Sequence, residues 1–167
     1  MKLHQRALTR VGCLLIAAGL SGCYESSSPL SPPGTVRRDA ALLGSWRCVE
    51  DGAKSDERAS LEVFPFDEAQ YYAEWTEDGE TARIRAYGSR VGDVTVLNVQ
   101  VLEAASPVGK WMFARYRLES PRTLKLSLVS EKAVKGLPEA DALQAVRKRA
   151  ADDSLYEPWT ICSREER

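Results

Sequence analysis

Between residues 46 and 129 the chain is cut into short runs of alternating apolar and polar residues. The turns between them are too closely spaced for helices of useful length. Residues 46–49, 61–64, 70–76, 82–87, 94–102, 111–118 and 124–129 each read as a strand. Glu77-Asp78-Gly79-Glu80 sets an Asp-Gly pair between two of them, a strong hairpin signal. Further turns come from Arg90-Val91-Gly92-Asp93, Ser106-Pro107-Val108-Gly109 and Glu119-Ser120-Pro121-Arg122. Strands joined by short turns make a meander, and another extended run follows at 156–162. Such a meander tends to close on itself, because closure removes exposed edges. The expected class is mainly β: an antiparallel meander closing into a barrel, with one C-terminal helix before the last strand. Some other antiparallel barrel, or a sandwich with one helix, is the alternative.

The helix is expected over residues 138–150. Pro138 suits a first helical position, Glu139 and Asp141 occupy the first turn, and Arg147, Lys148 and Arg149 the last, matching the helix dipole. Leu137, Ala140 and Leu143 are the expected buried stripe.

In a closed barrel, alternate residues face inward. Tyr71, Ala73 and Trp75 share one face. Trp111 and Phe113 share a face with Arg115 and Arg117, opposite Met112, Ala114, Tyr116 and Leu118. On the longest run, Thr95, Leu97, Val99 and Val101 form the more apolar side. Tyr71, Trp75, Trp111 and Phe113 are therefore the candidate lining of an aromatic cup for a small apolar or amphipathic ligand. The competing reading is a barrel filled by its own side chains. Paired arginines, Arg83 with Arg85 and Arg115 with Arg117, read as solvated and matched by acids. Asp67-Glu68 and Glu77-Asp78 read as surface turns.

The N-terminus carries a different signal. Lys2, Arg6 and Arg10 precede an apolar stretch over residues 11–20, which ends in Leu20-Ser21-Gly22-Cys23. A positive region, a short apolar region and a small-residue site make a secretory leader, too short to span a bilayer as a mature helix. The last four residues resemble the lipobox of bacterial lipoproteins. That resemblance implies removal of residues 1–22, lipid on Cys23, and anchorage in the bacterial envelope. Tyr24 stands where an Asp would imply inner-membrane retention, so outer-membrane sorting facing the periplasm is implied. Residues 23–37, rich in Ser and Pro, read as a flexible tether, and residues 38–167 as one domain.

The leader holds three of the 23 basic and none of the 24 acidic residues, leaving 20 against 24. No basic block stands out, so nucleic acid is not an expected partner. The single histidine, His4, lies in the leader. The rest of the chain has no imidazole, which excludes Ser-His-Asp and Cys-His catalysis and His-ligated metals. No enzyme activity, cofactor or metal is expected. Cys13 leaves with the leader and Cys23 takes lipid, so Cys48 and Cys162 remain. In an oxidising compartment such a pair tends to be bridged.

Leu42-Leu43-Gly44-Ser45-Trp46 opens the first strand. Gly-x-Trp at that place resembles the start of the lipocalin and wider calycin families. The resemblance implies a lipocalin-like barrel whose closed end is plugged by Trp46, with Gly44 admitting the chain and a late basic residue, here Arg164, packed over the ring. Two features depart from the family pattern. No Thr-Asp-Tyr motif precedes Val94, and the helix comes before the last strand. The expected function is a non-catalytic binding module at the envelope, for a small apolar or amphipathic ligand. The alternative is a structural or assembly accessory contacting another envelope protein.

Overall fold

The computed structural model describes residues 22–52, 58–102 and 109–166. The leader ahead of Gly22 and the Ser106-Pro107-Val108 part of one expected turn lie outside the described residues. Nine strands are described: β1 (Glu25–Ser26), β2 (Gly44–Glu50), β3 (Ala59–Pro65), β4 (Gln70–Glu77), β5 (Glu80–Val91), β6 (Val94–Val101), β7 (Trp111–Ser120), β8 (Thr123–Val129) and β9 (Tyr156–Arg164). Helix α1 (Glu139–Arg149) lies between β8 and β9.

Strands β2 to β9 pair antiparallel in chain order, and β9 returns to β2, so the sheet closes into an eight-stranded barrel. The hairpin between β4 and β5 turns through Asp78 (φ 51°) and Gly79 (φ 80°), the two positive dihedrals that a tight two-residue turn needs. Between β8 and β9 the register shifts at Leu126/Ser127, opposite Pro158. Pro158 cannot donate to a ladder, so an irregularity is where a sheet accepts it.

There are two cores. One fills part of the barrel interior, with Trp46, Leu61, Tyr71, Trp75, Leu97, Leu124 and the cystine among its members. The other lies outside the barrel, where α1 lays Ala142, Leu143 and Val146 against Tyr87, Val96, Trp111 and Phe113. The expected stripe is thus displaced by part of a turn: Leu137 is 46% exposed and Ala140 is also exposed. The outward face of β5–β7, not helical period alone, selects which residues are covered.

Residues 23–37 do not stand off as a tether. Tyr24 N donates to Val129 O (3.0 Å), β1 pairs with β7, and Leu30 is buried in the outer core. Leu30 N donates to Asn98 Oδ1 (2.8 Å), while Asn98 Nδ2 donates to Tyr87 O and Ser89 Oγ. Glu139, at the start of α1, accepts from Ser26 Oγ, Ser27 N and Ser27 Oγ, which hold its carboxyl below the usual range, the Ser27 hydroxyl most. Composition marks a Ser/Pro segment as poor at making its own core. It cannot show that a neighbouring surface supplies one.

Candidate functional site

The topology gives the barrel two ends. At one end the chain enters through a short turn, Ala40–Leu42, and passes into β2. Trp46 is fully buried there, with Nε1 donating to Leu42 O (2.9 Å). Arg164, at the end of β9, sets its guanidinium 4.1 Å from the centre of the Trp46 ring. It also donates to Leu43 O (2.8 Å), Ala41 O (2.5 Å) and Pro121 O (3.0 Å). Gly44 has φ +117°, and a Cβ there would lie 3.0 Å from Arg164 Nη1. Only glycine meets both demands at low cost. Gly44, Trp46 and Arg164 thus meet at this end of the barrel.

Beyond this plug lies an apolar cavity of about 820 Å³. Its walls are inward residues of successive strands: Leu61 and Val63, Tyr71, Ala73 and Trp75, then Ala82, Ile84 and Ala86. Leu97, Val99 and Val101 continue the wall, as do Met112, Ala114, Leu124, Leu126 and Leu128. Ala73, Ala82, Ala86 and Ala114 are among them, and small side chains on inward positions leave space. At the other end the cavity meets Cys23, Tyr24, Glu25, Lys110, Glu131, Lys135 and Leu137. Lys110 pairs with Glu25 (3.0 Å).

Tyr71 and Trp75 line the cavity as expected, with Trp75 3% exposed and its ring 4.8 Å from that of Trp159. Trp111 and Phe113 do not. Both face outward into the core under α1, Trp111 meeting Tyr87 edge-on at 5.5 Å. Alternation correctly groups them with Arg115, yet it cannot say which side is the lumen. The helix gives the outer side an apolar surface of its own. Trp159 is a lining residue that alternation misses. The register shift near Pro158 lets Trp159 and Cys162, three apart, both meet the inner core. No sequence period signals that.

Near the plug, Asp39, Tyr71 and Tyr116 bond one another. Asp39 N donates to Tyr71 Oη (2.6 Å), and Tyr116 Oη donates to Asp39 Oδ2 (3.0 Å). Burial pushes both phenols up, and Asp39 pushes Tyr116 further. The outward arginines are matched only in part. Arg115 pairs with Asp153 (2.6 Å) over the Tyr156 ring and Arg83 sits opposite Glu74, but Arg85 donates to the Gln70 amide beside Tyr87 and Trp111, and Arg117 is exposed opposite Lys125. Asp67 accepts from Ala69 N and Gln70 N, closing its own turn and holding its carboxyl low. Cys48 and Cys162 are bridged directly across the β2–β9 pair, 114 residues apart in sequence. Among the described residues no cluster of three or more His, Cys, Asp or Glu could hold a metal.

No family model and no curated protein matches the sequence. Among solved structures the chain is similar to a redesigned beta barrel, at 10% identity and a TM-score of 0.42, over 76% of this chain and 94% of that one.

Proposed function

We propose that the chain is a lipid-anchored protein of the bacterial envelope whose barrel binds a small apolar or amphipathic ligand without catalysis. The apolar cavity carries this reading. Its volume lies within the roughly 300–1,000 Å³ of ordinary ligand sites, and among the described residues its walls offer no charged group away from the mouth. A barrel filled by its own side chains would not have such a space. Anchorage through Cys23, outer-membrane sorting and export rest on Leu20-Ser21-Gly22-Cys23 and on Tyr24. The bridged cysteine pair accords with an oxidising compartment. Kinship with the lipocalin and calycin group rests on Gly44, Trp46 and Arg164.

The alternative, an assembly accessory, draws on Phe66, 69% exposed in the β3–β4 turn at the plugged end. Phe64, 38% exposed, lies two residues away; two rings still make a small patch, so the cavity reading stands first.

The test is binding of an apolar fluorescent probe to the purified protein. Ala86→Phe together with Ala114→Phe places two rings in the lumen and should abolish binding while the fold persists. If that variant binds the probe as tightly as the parent, the lumen is not the site. Separately, Cys23→Ser should abolish fatty-acid labelling in cells; continued labelling would refute the anchor.

A further inference from the structure

The cavity opens beside the residue that carries lipid in the reading above. Cys23 lines the mouth, and its Sγ lies 3.6 Å from Sδ of Met112, itself a wall residue. The backbone there has no slack. Cys23 bridges to Ser130, Tyr24 N is held by Val129 O, and β1 is paired to β7. A group attached to Sγ therefore starts at the lip of the lumen rather than at the end of a long leash.

The chemistry of the lumen favours a hydrocarbon tail. Near the plug, the Tyr71 and Tyr116 hydroxyls are already engaged with Asp39. Among the described residues, the charged side chains of the lining, Lys110, Lys135, Glu25 and Glu131, occur at the mouth. A methylene has about the bulk of a water, whose share of liquid volume is ~30 Å³. A chain of some sixteen carbons then needs roughly 500 Å³, which the cavity of about 820 Å³ accommodates.

A tail leaving the bilayer for this lumen passes from one apolar surrounding to another. The hydrophobic term is nearly unchanged, and local concentration decides occupancy. Covalent attachment at the lip gives the anchor's own chain an effective concentration of about millimolar or more. A free ligand rarely matches that.

We propose that one acyl chain of the Cys23 lipid occupies the lumen. The barrel sheathes part of its own anchor, the remaining lipid holds the membrane, and an outside ligand must displace the resident chain. This rests on the lipoprotein reading and adds an occupant to its cavity.

The experiment compares the lipidated protein with full-chain Cys23→Ser, both in the same detergent. The probe is N-phenyl-1-naphthylamine, read by energy transfer from Trp75 and Trp159. Cys23→Ser should bind, the lipidated protein should bind at least tenfold more weakly, and Trp75→Phe with Trp159→Phe should lower the transfer signal, with Trp46 and Trp111 left as donors. Equal affinity of the two forms overturns self-occupancy and leaves the ligand reading intact. Failure of both forms to bind overturns the ligand reading itself. A second measurement avoids the probe. Fatty acid brominated at mid-chain is fed to cells and incorporated at Cys23. Emission of the washed, solubilised protein should be quenched, and the quenched fraction should fall in the Trp75→Phe, Trp159→Phe variant, which keeps only Trp46 and Trp111. Unquenched emission from protein shown by mass to carry the brominated chain overturns the proposal.

Discussion

Arg164 lies over Trp46, 4.1 Å from guanidinium carbon to ring centre, and the pair ties the last strand to the first at the plugged end of the barrel. Truncation of a fully buried Trp typically costs about 3–5 kcal/mol, so Trp46→Ala should lower the melting temperature severely. Arg164→Ala should cost less, and Arg164→Lys should not restore it. A lysine cannot stack flat on the ring and reach three carbonyls from one planar fork. A Trp46→Ala protein that melts like the parent would remove the plug assignment.

Reduction should also weaken the barrel. The Cys48–Cys162 bridge joins residues 114 apart, and the chain-entropy account gives such a loop about 4 to 5 kcal/mol, with measured values often lower. Thermal melts with and without reductant should differ by many degrees, and Cys48→Ser should reproduce the reduced curve. Peptide mapping without reductant should find the two cysteine peptides joined.

The two aromatic pairs should separate by function. Phe113→Ala removes a fully buried ring beneath α1, at a cost of about 3–5 kcal/mol. Probe affinity of the folded fraction should be unchanged, and Trp111→Ala should behave likewise. Trp75→Ala should instead weaken probe binding, because that ring lines the lumen. Reduced affinity in Phe113→Ala protein that is still folded would place the site outside the barrel.

Asn98 is the buried link between the barrel and the N-terminal segment. Asn98→Ala leaves Leu30 N and Tyr87 O without this partner, a loss of about 1–3 kcal/mol for buried groups. The segment from Cys23 to Arg38 should become protease-sensitive before the barrel does. Unchanged cleavage kinetics there would show that Asn98 does not hold it.

Alkaline pH should destabilise the protein, with Tyr116 as one contributor beside the other buried phenols. Burial, and then Asp39, raise the phenol above its ordinary value of about 10. A group raised in the folded state contributes stability that is fully present below about pH 10 and lost as pH climbs toward the folded value. Tyr116→Phe should flatten the alkaline limb while losing about 1 kcal/mol at neutral pH from the missing hydrogen bond to Asp39. An alkaline limb identical in both proteins would assign the transition to other groups.

What the sequence determined by itself was local. Alternation and turn chemistry marked the eight barrel strands to within a few residues, since period and Asp-Gly turns are properties of neighbouring positions. The pairing of Cys48 with Cys162 followed from elimination, and Gly44 and Trp46 from a short motif. Only the tertiary structure decided which face became the lumen. Trp111 and Phe113 alternate as well as Tyr71 and Trp75 do, and the sheet gained two apolar faces once α1 and Leu30 covered one from outside. Trp159 entered the lumen through a register shift, which depends on the partner strand. The N-terminal segment lay on the barrel because Asn98, Glu139 and Val129 offered it bonds from distant parts of the chain. Such pairings follow from closure of the sheet, and closure brings together residues that no local pattern relates.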